Sequence, residues 1–340
     1  VLPNPLMGIT GTNGKTTTTE LLAHILRSAG RDAVACGNQG TPLTGLVGQV
    51  DAAAWLVVEC SSFQLEDVPT FRPRAAVLLN VTPDHLDRYD DVAAYAAAKR
   101  NLFAHQQPGD LAILPQGEAS PGAAPARCVV TSGVPGDDAV AWGQDGLHVS
   151  GLGRIAGWDE IPLRGTHNRQ NVMAAAAMAA HAGLTAPAIA AGLASFAGVP
   201  HRLEVVGMAG GVTYVNDSKA TNPAAAIAAL DAYPDRVILI AGGSSKGTPF
   251  DDLAEAARGV VDTAHLIGET APQLAAALGD CGVTSVSHPN LQSAVSAASA
   301  GARSGDVVLL SPACASFDQF RSYEHRGDVF RECARECGAR

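Results

Sequence analysis

The stretch Leu6-Met7-Gly8-Ile9-Thr10, followed by Gly11-Thr12-Asn13-Gly14-Lys15-Thr16-Thr17, constrains this chain more than any other. The first five residues read as a short buried strand. Glu20-Leu21-Leu22-Ala23-His24-Ile25-Leu26 carries a helical period that ends at Gly30. Strand, glycine-rich turn and helix in that order direct backbone N–H groups and a helix N-terminus at an anion. The loop has fewer residues between its glycines than the usual phosphate loop, but the physics is shared. Gly11, Thr12, Asn13 and Gly14 surround phosphate oxygens, Lys15 neutralises the β and γ phosphates, and the Thr16 hydroxyl offers a ligand to Mg²⁺. A nucleoside triphosphate is the expected ligand.

The rest of the chain continues an α/β pattern. Apolar runs at 54–58 and 75–79, separated by segments long enough to cross over a sheet, imply a mostly parallel sheet with ligands beyond the strand carboxyl ends. From 111 to about 162 the texture shifts to short β-like pieces such as Cys128-Val129-Val130 and Leu147-His148-Val149, read as a small antiparallel extension. Ala-rich helices are expected over 168–181 and 187–196. Near Gly198-Val199-Pro200 the pattern restarts: strands at 237–241, 264–267 and 307–310 alternate with helices at 253–258, 271–278 and from Leu291. At 340 residues, 47% of them hydrophobic, the chain can bury two cores. The expected organisation is a P-loop-type sheet domain over 1–198 and a Rossmann-like α/β domain over 199–340.

A net charge of -10 argues against a broad nucleic-acid or membrane surface, so anionic ligands must be held by a few local positive groups. No long uninterrupted apolar run and no basic-flanked leader occurs, which reads as a soluble, cytoplasmic protein. The seven cysteines lack paired ligand spacing and read as reduced structural thiols. Of 23 basic residues only four are lysine: Lys15, Lys99, Lys219 and Lys246. An amine can be deprotonated and modified where a guanidinium cannot. All four lysines fall at or near predicted ligand edges, which disfavours chance survival.

Several further segments carry chemistry. Glu59 follows the strand at 54–58, where a carboxylate suits Mg²⁺; alone it would as readily be an ordinary exposed acid. Cys60-Ser61-Ser62-Phe63-Gln64 and Asn80-Val81-Thr82-Pro83-Asp84-His85 place hydroxyls, amides and an imidazole at strand ends. His85 can ligate a metal through one ring nitrogen, although an isolated His is more often structural. Lys99 lies on a helix that begins near Asp91. Asn216-Asp217-Ser218-Lys219-Ala220-Thr221-Asn222-Pro223 suggests a capped helix start, but capping does not explain Asp217 and Lys219. Lys246 sits in a glycine- and serine-rich loop after a strand, and Ser311-Pro312-Ala313-Cys314-Ala315-Ser316-Phe317-Asp318-Gln319-Phe320 follows another.

Taken together with Gly37-Asn38-Gln39-Gly40, Glu59 through Glu66, Asn80 through Tyr89, His167-Asn168 and Pro200-His201-Arg202, these segments resemble the bacterial Mur ligase family, in its D-glutamate-adding branch. The matching stretches run from Gly8 to Phe330. The resemblance implies that Lys15, Thr16 and Thr17 cradle ATP, that Glu59 and His85 serve two Mg²⁺ sites, and that Lys99 reacts with CO₂ to become a carbamate. It further implies that Asn171, Arg202 and Asp217 bind the nucleotide, and that Asn38 and Ser61 bind the muramoyl substrate. Lys219, Thr221, Lys246, Ser316, Phe317 and Tyr323 would form the D-glutamate pocket. Tyr323 stands where phenylalanine is familiar in that branch, and Phe317 where leucine is.

The implied substrates are UDP-N-acetylmuramoyl-L-alanine and D-glutamate, joined through an acyl-phosphate on a monomeric enzyme that closes around them. Family members begin with a further UDP-binding domain. The chain therefore reads as part of a longer polypeptide, inactive or weakly active alone. A noncatalytic ATP-binding partner module and a nucleotide-switch NTPase remain as other classes. The first leaves Glu59, His85 and Lys99 unexplained, and the second leaves the lysine-rich pocket unexplained.

Overall fold

The computed structural model describes residues 3–84, 88–115, 127–132, 139–143, 145–163, 165–233, 236–245 and 247–340. The chain forms two compact units that part between Ala197 and Gly198. The first contains strands β1 (Leu6–Thr10), β2 (Ala33–Gly37), β3 (Trp55–Glu59), β4 (Ala75–Leu78), β5 (Leu111–Pro115), β6 (Arg127–Ser132), β7 (Ala139–Trp142), β8 (Leu147–Val149) and β9 (Gly153–Ala156). Its helices are α1 (Lys15–Ser28), α2 (Ser62–Leu65), α3 (Val92–Arg100), α4 (Thr166–His181) and α5 (Ala186–Ala194).

These strands make one sheet in the order β2-β3-β1-β4-β5-β6-β7-β8-β9. The pairs from β2 to β7 are parallel, and only β7–β8 and β8–β9 run antiparallel. The expected antiparallel extension is thus much shorter than 111–162, because β5, β6 and β7 continue the parallel sheet. Short Gly- and Pro-bounded runs look alike in either direction; partner and register, which are long-range, decide between them. The central strands are apolar at successive positions because both faces of a parallel sheet are covered. Met7, Ile9, Leu56, Val57, Ala76 and Leu78 are all fully buried.

Register sets the site. Ile9 pairs with Glu59, Thr10 with Leu78, and Gly37 with Glu59, so the loops after β1, β2, β3 and β4 leave the sheet at one edge. β2 was not anticipated from the sequence. As an edge strand of sequence Ala-Val-Ala-Cys-Gly, it has too few large apolar residues to stand out.

The second unit holds β10 (Glu204–Ala209), β11 (Val212–Asn216), β12 (Val237–Gly242), β13 (Val261–Ile267), β14 (Ser285–Ser287) and β15 (Val307–Leu310). Its helices are α6 (Pro223–Asp231), α7 (Asp251–Ala257), α8 (Ala271–Asp280), α9 (Leu291–Gly301) and α10 (Tyr323–Glu336). The sheet order is β10-β11-β15-β12-β13-β14, parallel except for the β10–β11 hairpin. Successive residues of β12 serve opposite cores. Val237, Leu239 and Ala241 pack with the α6–α8 side, while Ile238 and Ile240 pack with α9 and α10. This is the doubly covered parallel arrangement expected for the second unit. Among the described residues no helix is long and apolar enough to cross a membrane.

Candidate active site

At the first sheet edge, the phosphate loop joins β1 to α1. Gly14 takes φ +86° and leaves the helix start without a side-chain cap, so the first N–H groups of α1 stay directed at the loop. Four threonines open α1, a weak start on propensity that burial of Thr16–Thr19 offsets. The loop is strapped from β4. Asn80 accepts from Asn13 N at 2.9 Å, donates to Asn13 O at 3.1 Å, and offers its carbonyl to Thr12 N at 3.0 Å. Thr12 Oγ1 accepts from Thr82 N at 3.0 Å and lies 3.4 Å from the Tyr95 hydroxyl. Lys15 Nζ donates to Gly11 O and Thr12 O at 2.9 and 2.8 Å, which keeps its charge at the loop.

Glu59 ends β3 with only 2% of its surface exposed. Its Oε1 accepts from Asn38 Nδ2 at 3.0 Å, whereas Oε2 is buried with no hydrogen-bond partner. A buried carboxylate oxygen without a partner is costly unless a cation meets it. With the Thr16 hydroxyl at the same sheet edge, this is a hard-oxygen donor set of the kind Mg²⁺ takes. Gly37 brings Asn38 into place: a Cβ there would stand 2.3 Å from Glu59 O. Ser61 sits on the same edge, and its hydroxyl caps α2 by accepting from Gln64 N at 3.2 Å.

Lys99, on α3, is 1% exposed. Its Nζ donates to Gly11 O at 2.9 Å and lies 4.3 Å from the centre of the Tyr95 ring. Burial first, and the charge of Lys15 second, push the amine down to about 7. A buried lysine so placed is substantially neutral, hence nucleophilic, near neutral pH. Asn171 on α4 is also buried and donates to Asn168 Oδ1 at 2.9 Å, with its own Oδ1 packed against Gly14. His85 lies outside the described residues.

The edge of the second sheet is built on the same plan. Asn216 pairs with Leu310 and Ile240 with Leu310, so the loops after β11, β12 and β15 converge. Asp217 Oδ1 accepts from Leu203 N at 3.2 Å and Oδ2 from Ser311 Oγ at 2.9 Å. Burial pushes this carboxyl up to about 7, against the pull of Arg202. Its bonds show it holding the 201–203 turn, where His201 and Leu203 adopt φ +62° and +44°. Such left-handed residues persist only where the surroundings over-determine them. Arg202 Nε is buried without a partner.

Lys219 N donates to His201 O at 3.0 Å, and its Nζ lies 5.4 Å from the Tyr323 ring centre. Thr221 N donates to Lys219 O, Ser316 is buried at the turn before Phe320, and Phe317 is 75% exposed. Lys246 lies outside the described residues; two positions before it, Ser244 N donates to Ala315 O and Asp318 N donates to Ser244 Oγ, both at 2.9 Å.

Two residues without an assigned role from the sequence organise these edges. Tyr95 covers Lys99 and touches Thr12. Arg326 on α10, fully buried, donates to Ser218 Oγ and Ser218 O at 2.9 and 2.8 Å, to Cys314 O at 3.1 Å and to Ala315 O at 3.3 Å. It clamps the loops after β11 and β15 together. Nothing in the composition separates this arginine from 18 others; only its burial does.

Residues 9–179 match the family described as Mur ligase middle domain, and residues 201–314 match Mur ligase, glutamate ligase domain. The UDP-N-acetylmuramoylalanine--D-glutamate ligase of Pelotomaculum thermopropionicum is 41% identical over 338 residues, covering 97% of this chain and 74% of that protein. The ligase of the same name from Anaeromyxobacter dehalogenans is 45% identical over 355 residues, covering 98% and 75%. Among solved structures, a MurF from Acinetobacter baumannii superposes with TM-score 0.74 at 19% identity, over 96% of this chain and 77% of that one. The MurF ligase of Thermotoga maritima in complex with ADP gives 0.72 at 18% identity, over 98% and 81%. The two structural likenesses speak to the fold.

Proposed function

This chain belongs to the Mur ligase family, and on that premise we propose that it joins D-glutamate to UDP-N-acetylmuramoyl-L-alanine at the expense of ATP, in peptidoglycan precursor synthesis. The observation that carries this reading is the buried, partnerless Oε2 of Glu59 at the same sheet edge as the phosphate loop. A triphosphate in that loop brings cations with it, and the partnerless carboxylate oxygen of Glu59 is a hard ligand suited to one.

In the proposed reaction Gly11, Gly14 and the start of α1 hold the triphosphate by backbone N–H groups, on a loop whose Asn13 N–H is held by Asn80, and Lys15 turns its charge toward the transferring phosphoryl group. Thr16, Glu59 and His85, together with a carbamate on Lys99, would hold Mg²⁺ at two sites. Bound there, Mg²⁺ neutralises phosphate oxygens and aligns attack with departure. For the carbamate, the neutral Lys99 amine adds to the carbon of CO₂, a C–N bond forms, and the nitrogen releases a proton. The low amine basicity imposed by burial supports that chemistry, since an ammonium has no lone pair to donate.

Asn38 and Ser61 orient the muramoyl substrate, whose L-alanyl carboxylate attacks the γ-phosphorus and displaces ADP. The D-glutamate amine then attacks the acyl-phosphate carbon, and phosphate leaves. Lys219, Lys246, Thr221, Ser316, Phe317 and Tyr323 receive D-glutamate, the two lysines facing its carboxylates. Arg202 and Asn171 contact the nucleotide. Asp217 acts by ordering the turn that presents Arg202.

The test is product detection by mass spectrometry with ATP, UDP-N-acetylmuramoyl-L-alanine and D-glutamate, paired with calorimetry of D- and L-glutamate binding. Phosphate release that requires both the acceptor and D-glutamate is expected. Equal binding of the two enantiomers without product would remove the proposed specificity.

A further inference from the structure

Glu66, which follows α2, has no role in the reaction above, yet its carboxylate is bound three times. Arg88 donates to it through Nε and Nη2 at 3.1 and 2.6 Å, and the Tyr89 hydroxyl donates at 2.5 Å. The bonds from Arg88, then Tyr89, hold the carboxyl down at about 2, which keeps Glu66 an anionic acceptor near neutral pH. An exposed ion pair by itself contributes little. This one differs in what stands behind it. Arg88 lies over the Phe63 ring at 4.7 Å, Phe63 stacks on Tyr89 at 6.1 Å, and Tyr89 leans on Tyr95 at 5.3 Å. Tyr89 is 9% exposed and Tyr95 2%, and Tyr95 touches both Thr12 of the phosphate loop and the Lys99 amine.

We propose that Glu66 is a positioning residue that, through Tyr89 and Tyr95, fixes the aromatic wall sealing Lys99 and steadying Thr12. The phenol of Tyr89 is the link. Its hydrogen bond fixes the ring's tilt, and the ring fixes where Tyr95 can lie. Without the Glu66 acceptor, the Tyr89 hydroxyl keeps only Ser62 and Arg88 beside it and loses the bond that sets its direction, and the wall opens to water. The catalytic consequence rests on the role proposed for Lys99, whereas the sealing itself does not.

The chain has four lysines, so each can be followed separately after brief modification with isotopically labelled acetic anhydride at one fixed pH, in buffer stripped of CO₂ so that the Lys99 amine is free, and peptide mass spectrometry. In Glu66→Ala, Lys99 should be modified at least about fivefold faster as the wall opens locally, while Lys219, in the other unit, serves as the unchanged reference. Glu66→Gln keeps an acceptor for Tyr89 and should fall between Glu66→Ala and the parent. In the ligase assay kcat should drop while KM for ATP changes little. An unchanged Lys99 rate in folded Glu66→Ala overturns the proposal. Should that variant fail to fold, Tyr89→Phe removes the same hydrogen bond and keeps the ring; no acceleration there is equally decisive. Full activity of Lys99→Arg alongside accelerated labelling in Glu66→Ala would retire the carbamate and leave the positioning role intact.

Discussion

Replacing Gly14 by alanine tests whether the phosphate loop owes its shape to the contacts described here. A Cβ at Gly14 would stand 2.3 Å from Asn171 Oδ1 and 3.2 Å from Leu79 Cδ1, on a backbone held at φ +86°. The left-handed conformation costs an alanine about 1–2 kcal/mol. Moving Asn171 aside breaks its 2.9 Å bond to Asn168, for about 1 kcal/mol more. Asn80 and Thr82 grip the loop at Thr12 and Asn13, so the strain is relieved by displacing Gly14 and the first turn of α1. Those are the groups that hold phosphate. A cost of about 2–3 kcal/mol then appears in ligand affinity, weakening ADP binding about 30- to 150-fold by calorimetry. Gly30→Ala is the control: φ is +73° and nothing lies within 4 Å of the added carbon, so stability should fall while ADP affinity is kept. ADP binding by Gly14→Ala within about threefold of the parent would refute the reasoning.

Glu59→Gln removes a buried negative charge whose second oxygen has no partner, so the thermal midpoint should hold or rise even as Mg²⁺-dependent turnover disappears; a midpoint several degrees lower would assign Glu59 to stability instead. Asp217 has a folded pKa raised from 3.8 to about 7, so the folded state holds more protons than the unfolded one between those values. Its contribution to stability is therefore lost progressively as pH rises from 3.8 to about 7, and Asp217→Asn should flatten that slope in thermal melts at stepped pH. Arg326→Ala leaves four carbonyl and hydroxyl acceptors without their donor and should cost about 3–5 kcal/mol in denaturant unfolding, whereas a cost under about 1 kcal/mol would show that the two loops hold without their clamp.

Sequence alone determined whatever depends on local chemistry. An apolar run, two glycines and a Lys-Thr pair specify strand, turn and helix within a few residues of one another, so β1, the phosphate loop and α1 were legible, as were β8 and β15 to the residue. The scarcity of lysine marked Lys15, Lys99 and Lys219 before their surroundings were known. Tertiary structure decided what depends on partners far along the chain. The direction of β5, β6 and β7 is set by pairing across segments whose own composition is neutral between parallel and antiparallel. Ser61 reads as a ligand hydroxyl in the sequence, and its capping of α2 was not legible there, because an N-cap and a binding site select the same side chain. The burial that makes the Lys99 amine weakly basic, and that leaves Glu59 Oε2 without a hydrogen-bond partner, arises from atoms brought together out of β1, β2, β3 and α3. Desolvation has no signature in a linear pattern. It exists only once the chain has closed around the group.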